Sequence, residues 1–228
     1  MNQHTRFHQL GITAGALAIG AALVCSMTSC NVVAPIAMII EGPPKDEALF
    51  KLDSARPTLI LVDDTLNILP RPSFRQVMAK KAQELLLNEG VLKKVIDHGA
   101  AYAIISRDRE GQVTSLTEIA HQVGADIVVA VTIDSFGIAG AQNEREMVCN
   151  FRVKVVDATK DTGNRVWPPA SVPEGAPAIA RYRLPTATKI DTNAAAYAAQ
   201  NALSEQTGRA IAQVFYTHPK SESASAGK

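Results

Sequence analysis

The sequence predicts an α/β (α+β-like) fold: a single domain with a mixed five-stranded sheet, helices packed on it and a long C-terminal helix. Three observations predict it. Two unbroken β-prone runs, Thr58–Val62 and Ile127–Ile133, are separated by segments of helical periodicity, so strands joined by helical crossovers pair in parallel. A strictly alternating stretch, Met147–Val155, follows the second run after a short glycine-bearing link, and that order requires an antiparallel hairpin. A capped run from Ala194 to about Tyr216 has the length of a closing helix.

Taken in order, Arg56-Pro57 opens the first strand, whose apolar residues do not alternate and are therefore covered on both faces. Asn67–Pro72 is a loop carrying two prolines. Ser73 caps a helix over Phe74–Asn88, with Gln76 three residues on as in a capping box, and Gly90 ends it. Val91–Ile96 reads as a polar edge strand. Asp97 or His98 caps a helix through Ala100–Ser106, and Arg107–Gly111 is a charged turn. Ser115, with Glu118, forms a second capping box on a helix that runs to Val123 and stops at Gly124. Gly137–Glu144 is the hairpin loop. In the strand that follows, Met147, Cys149, Phe151, Val153 and Val155 share the core face, and Asn150, Arg152 and Lys154 share the wet one. Asp157–Gly163 turns into a short last strand, Asn164–Trp167. Pro168–Thr192 is a proline-rich, irregular connection. Asp191 or Thr192 caps the final helix, whose apolar face takes Tyr197, Ala198, Leu203, Ile211, Val214 and Phe215.

The N-terminal segment is different in kind. Met1–Gln9 is polar with Arg6, Leu10–Val24 is almost wholly apolar, and Cys25–Cys30 turns small and polar, the three-part layout of a secretory signal. Met27-Thr28-Ser29-Cys30 resembles the lipobox of bacterial lipoproteins, whereas Val24 before Cys25 fits that pattern badly. The resemblance implies a diacylglyceryl thioether on Cys30, cleavage before it and acylation of the new amino group. Each buried methylene contributes about 0.8 kcal/mol, so two or three acyl chains hold a protein firmly. An uncleaved anchor is the alternative, because the apolar run stretched to Cys30 just reaches a spanning length. Asn31 follows the cysteine, rather than the Asp that resembles an inner-membrane retention signal, which favours the outer membrane.

The organisation expected is therefore a signal over residues 1–29, a lipidated cysteine and extended tether over 30–55, an α/β envelope domain over 56–218 with 168–192 as an irregular insertion, and a disordered tail over 219–228. Glu41-Gly42-Pro43-Pro44 keeps the tether extended. A net charge of +1 gives no global basic field, so nucleic acid is not an expected partner. Cys149 stands alone in the mature region, which excludes a disulfide framework and makes it a buried, apolar-like residue.

A second resemblance lies in the domain. Val123-Gly-Ala-Asp-Ile-Val-Val-Ala-Val-Thr-Ile-Asp134 is a helix end, a GAD turn and a buried strand; Phe151-Arg-Val-Lys-Val-Val-Asp157 follows, then Thr162-Gly163 and Val166-Trp167. Over about residues 56–216 this is similar to the small α/β envelope domain shared by curli-secretion lipoproteins, penicillin-binding-protein-activator lipoproteins and the N-terminal domain of the Tol-Pal periplasmic component. The Asp157–Gly163 turn is about two residues longer than that pattern, and Pro168–Thr192 is an insertion into it. No stretch resembles the membrane-inserting hairpins of the curli channel, so a pore is not expected. The resemblance implies a non-enzymatic adaptor, on the periplasmic side of the envelope, that binds a protein partner or helps assemble a complex; a structural lipoprotein that self-associates as a homo-oligomer is a further reading.

The chemistry is sparse. Asp63, Asp64 and Asp134 follow buried strands, where sites form in parallel sheets, and three carboxylates there would suit a divalent cation or a hydrolase; the alternative is that they cap loops. No G-x-S-x-G nucleophile turn and no phosphate loop occurs, so no catalytic residue and no cofactor is assigned. The candidate partner-binding residues are Trp167 beside Pro168-Pro169, Arg107 and Arg109 in the charged turn, and Tyr182 in the long connection.

Overall fold

The computed structural model describes residues 45–106, 114–139, 143–159, 164–185 and 190–220. The chain divides into two units. The first combines Met1–Asp46 with Pro219–Lys228, and only its residues 45, 46, 219 and 220 are described. The second, Glu47–His218, is the α/β domain. Among the described residues no helix is long and apolar enough to cross a membrane. The signal, Cys30 and most of the tether lie outside the described residues.

The domain's elements are β1 (Thr58–Asp63), α1 (Ser73–Asn88), β2 (Val95–Ile96), α2 (His98–Ile105), α3 (Leu116–Val123), β3 (Ile127–Ala139), β4 (Asn143–Asp157), β5 (Asn164–Trp167), β6 (Ala176–Arg183) and α4 (Asn193–Gln213). The sheet order is β2-β1-β3-β4-β5, with β6 also paired to β4. β1 is parallel to β2 and, over its full length from Thr58↔Ile127 to Asp63↔Thr132, to β3. The strands β3, β4, β5 and β6 are antiparallel neighbours. The mixed α/β architecture and the long closing helix are as the sequence predicts, with six strands in place of five.

The sixth strand lies inside the connection expected to be irregular. Ala176–Arg183 runs along Glu146–Val153 of β4, while β5 runs along Val155–Asp157, so the two lie end to end on one edge. The inward positions of β6 are Ala178, Ala180 and Tyr182, too small on average to give an apolar period, and Pro177 argues against a central strand. The hairpin is also tighter than expected: Gly137 pairs with Val148, so most of Gly137–Glu144 is strand. Conversely, Val91–Ile96 is mostly not strand. The amides of Val91 and Leu92 close α1 on the Leu86 carbonyl, and that of Lys93 goes to Ser54, leaving only Val95 and Ile96 to pair.

Two helices cover each face of the sheet. On one, α1 and α4 bury Phe74, Met78, Ala79, Ala82, Leu86, Leu203 and Ile211 against Ile60, Val62, Val129, Val131 and the alternating residues of β4. On the other, α2 and α3 bury Ala101, Ile119 and Ala120 against Leu59, Leu61, Val128 and Ala130. Ser115 caps α3 as predicted, its hydroxyl accepting from the Glu118 amide at 3.2 Å. Ser73 does not cap α1. The helix begins at Ser73 itself, and the amides of Phe74 and Arg75 donate to the Arg71 and Pro72 carbonyls of the preceding turn. Thr192, rather than Asp191, caps α4.

The face of α4 matches the predicted one at Leu203, Ile211, Val214 and Phe215 and departs from it in the first turns. Tyr197 and Ala198 are exposed, and the buried positions are Ala199, Leu203, Ser204, Thr207, Gly208, Ile211 and Ala212. The cause is a close helix crossing. A Cβ on Gly208 would stand 2.5 Å from the Met78 carbonyl oxygen and 2.7 Å from Lys81 Cβ. Small residues dominate because backbone meets backbone. Ser204 and Thr207 donate to carbonyls one turn back and so are buried with their hydroxyls satisfied. At the other end of the domain, the segment expected as tether is already packed by residue 49: the Leu49 and Phe50 amides donate to the Val214 carbonyl, and Leu52 is buried.

Candidate functional site

The three strand-end carboxylates do not converge. Asp64 is buried and its two oxygens accept the amides of Ile68 (2.7 Å) and Leu69 (3.0 Å), organising the loop after β1. Asp63 is exposed and accepts the Thr65 hydroxyl at 2.7 Å. Asp134 is the extra residue of a bulge in β3, where the register steps from Ile133 to Ser135, and it is held by Arg152. Among the described residues no group of three His, Cys, Asp or Glu side chains could hold a metal ion. Each carboxylate has its own loop or strand to serve.

Trp167 turns its ring to the α1/α4 side, 5.8 Å from Phe50 and 6.4 Å from Phe215 between centroids. Tyr182 pairs across from Met147 and packs half-buried on the same core. Arg107 and Arg109 lie outside the described residues.

What the fold leaves available is the other face of the sheet. Helices α2 and α3 cover β1 and the first half of β3 and stop there. Beyond them, the outward positions of β4 are Val148, Asn150, Arg152 and Lys154, flanked by Pro177, Ile179, Arg181 and Arg183 of β6, while Val156 at the margin packs against the α2/α3 cluster. Arg152 spans this face. Its Nε and Nη2 grip Asp134 at 2.6–3.0 Å, and its Nη1 reaches Glu174 at 2.9 Å. The Asp134 hydrogen bonds hold the Arg152 guanidinium even more firmly protonated than usual. Asn150 donates to Ser135 at 2.7 Å, and Arg181 pairs with Glu146 at 3.3 Å. Among the described residues, counting Lys154, Arg165 and Arg183, the cations of the face outnumber its carboxylates, Asp134, Glu146 and Glu174.

At the β5 end, this face sinks into a hollow of about 460 Å³, lined by Lys154, Val156, Asn164, Arg165, Val166 and the Pro168–Ala170 segment. The register between β4 and β5 slips at Val155/Val156, which sends Trp167 to the core side and leaves Val166 41 % exposed at the hollow's wall. The chain returns to β6 through Gly175, whose φ of 106° is left-handed. A Cβ there would lie 3.1 Å from both Lys154 Cγ and the Val153 carbonyl oxygen, so this backbone is pressed against the Lys154 stem.

Two further groups are structural. Arg56 binds Asp157 in two-pronged fashion, at 2.7 and 3.1 Å, and also reaches the Asp126 carbonyl at 3.4 Å. The Arg56 and Thr159 hydrogen bonds hold the Asp157 carboxyl well below the usual carboxylate range. The Asp residues of the GAD turn and of the Val-Val-Asp strand end thus meet on one guanidinium. The Cys149 thiol is buried in the core, and burial pushes its pKa up to about 12. It is an inert packing group, as the sequence predicts.

No family model and no curated protein matches this chain. Solved structures similar to it include the PelC dodecamer from Paraburkholderia phytofirmans, at 13% identity over 75% of this chain and 91% of that one, with a TM-score of 0.41. Lipoprotein GNA1162 from Neisseria meningitidis is similar at 12% identity over 63% of this chain and 92% of that one, with a TM-score of 0.40. The LpoB C-terminal domain from Salmonella enterica is similar at 13% identity over 58% and 85%, with a TM-score of 0.35.

Sequence reasoning finds Arg152 and Lys154 as wet-face residues but assigns them no role. It passes over Val166 and Ile179, because their exposure depends on a strand slip and on a strand that the pattern does not show. The one available signal is the run of cations at alternate positions: Arg152 and Lys154, then Arg181 and Arg183.

Proposed function

We propose that this chain is a non-enzymatic envelope lipoprotein, held on the periplasmic side of the outer membrane by acyl chains on Cys30, which binds a protein partner through the open face of its sheet. One observation carries the binding part: the helical cover stops halfway, and the uncovered half presents Ile179 and Val166 among cationic side chains. Exposed apolar side chains within a polar, arginine-bearing rim have the composition of a protein interface. The anchor part rests on Met27-Thr28-Ser29-Cys30. Fatty-acid labelling in cells tests it. Cys30→Ser abolishes the label and leaves the precursor uncleaved, while Cys25→Ser leaves labelling intact; label on the Cys30→Ser protein refutes the assignment. A photocrosslinking residue at Ile179 captures a defined envelope protein, and one at Lys80 on α1 does not. Equal capture from both positions refutes the face.

A further inference from the structure

Resting on that reading of the open face, we infer that the hollow beside β5 is the specificity pocket, and that it takes an apolar segment of the partner bearing an Asp or Glu side chain. The walls are apolar: Val156, Val166, Pro168, Pro169 and Ala170. Its charged lining is Lys154 and Arg165, with no carboxylate among the described residues. Arg152 and Arg181, elsewhere on the face, are neutralised by Asp134, Glu174 and Glu146. Arg165 is held instead by a neutral group, the Pro173 carbonyl at 2.8 Å, which fixes its guanidinium without cancelling its charge. Neither Lys154 nor Arg165 has an ion-pair partner among the described residues. Gly175 passes close to the Lys154 stem, where any side chain would crowd it, so the chain's return to β6 leaves Lys154 its place beside the hollow.

Uncompensated cations beside apolar walls attract a carboxylate more strongly than cations in open water do. The volume of about 460 Å³ suits a few side chains. Its Pro168–Ala170 wall leads along the chain to exposed Val172, and Ile179 stands exposed further along the same face, so apolar contacts for a longer segment lie outside the hollow as well as in it.

The test uses the full lipoprotein in detergent and an immobilised peptide array in which each sequence appears with Asp or Glu and with the matching Asn or Gln. The expected result is retention of peptides combining Leu, Ile or Phe with an acid, and at least tenfold weaker retention of their amide forms. Lys154→Glu with Arg165→Glu reverses the preference toward Lys-bearing peptides, with an unchanged thermal transition. Binding that ignores the acid-to-amide change overturns the proposal, as does an acidic peptide held equally by the doubly reversed protein. If the doubly reversed protein still crosslinks its partner through Ile179 in membranes, the pocket is wrong and the sheet-face reading stands. Loss of crosslinking from Ile179 in the unsubstituted protein sinks the face itself.

Discussion

The two faces of this sheet are built to different standards. On the α1/α4 side the helices meet backbone to backbone at Gly208, the strands contribute fully buried Val, Ile and Phe, and even Ser204 and Thr207 are enclosed. On the α2/α3 side the cover is short, and beyond it lie ion pairs, exposed aliphatic groups and a hollow. Both faces belong to the same strands, often to adjacent residues of β4. The contrast separates what holds the domain together from what it shows to others, so substitutions on the two sides must fail in different ways.

The largest effect belongs to the closed side. An exposed helical Gly exchanged for a larger residue gains up to about 1 kcal/mol of helix propensity. At Gly208 the new side chain meets the Met78 carbonyl and the Lys81 stem, and the clash dominates. Gly208→Val is expected to cost about 3 kcal/mol and to lower the melting temperature by roughly 10 °C, measured by thermal and denaturant unfolding. A Gly208→Val protein as stable as the parent breaks the account of the crossing.

Next comes the seam at the start of β1. Removing Arg56 leaves Asp157 without its two-pronged donor, and Arg56→Ala is expected to cost about 2 kcal/mol near neutral pH. The Asp157 pKa is depressed in the folded state, so its contribution is complete above the ordinary carboxylate pKa of about 3.9. It fades as the pH falls below that value toward the lower folded one. Stability measured from pH 6 to pH 2 therefore declines less steeply in Arg56→Ala than in the parent. Parallel acid limbs would remove Asp157 from the seam.

The smallest effect is expected on the open side. Arg152 is bonded to two carboxylates, yet its side chain is 27 % exposed, and water screens the network. Arg152→Ala should change stability by less than about 1 kcal/mol while weakening partner capture through Ile179. A loss as large as that at Gly208 would erase the distinction between the faces.

The same contrast explains what the sequence made legible. Strands buried on both sides, β1 and the first half of β3, announce themselves as unbroken apolar runs, and β4 announces its single wet face by strict alternation. The Ser115–Glu118 cap is local chemistry and was readable for that reason. β6 was not, because it packs Ala178 and Ala180 where a period needs bulk, and its pairing with β4 is a tertiary fact. On α4 the large apolar residues Leu203, Ile211, Val214 and Phe215 were legible, whereas Ser204, Thr207 and Gly208, which pack at the close crossing, and the exposure of Tyr197 were not. Of the candidate site, the cations of β4 were visible. The direction of Trp167 was not, since a one-residue slip against Val155 and Val156 decides it.

Tyr102 gives the sheet a direction of growth. Its phenol hydroxyl donates to the Val62 carbonyl at 2.9 Å and accepts from the Val62 amide at 3.3 Å, so a side chain occupies the rail where another strand would attach. Outside it, β2 offers only two residues, too little backbone to seat an incoming segment. Extension by a neighbouring polypeptide is thus shut off at one margin and left to the margin where β5 and β6 lie in tandem. Any assembly built by strand addition would carry the polarity that this one hydroxyl imposes.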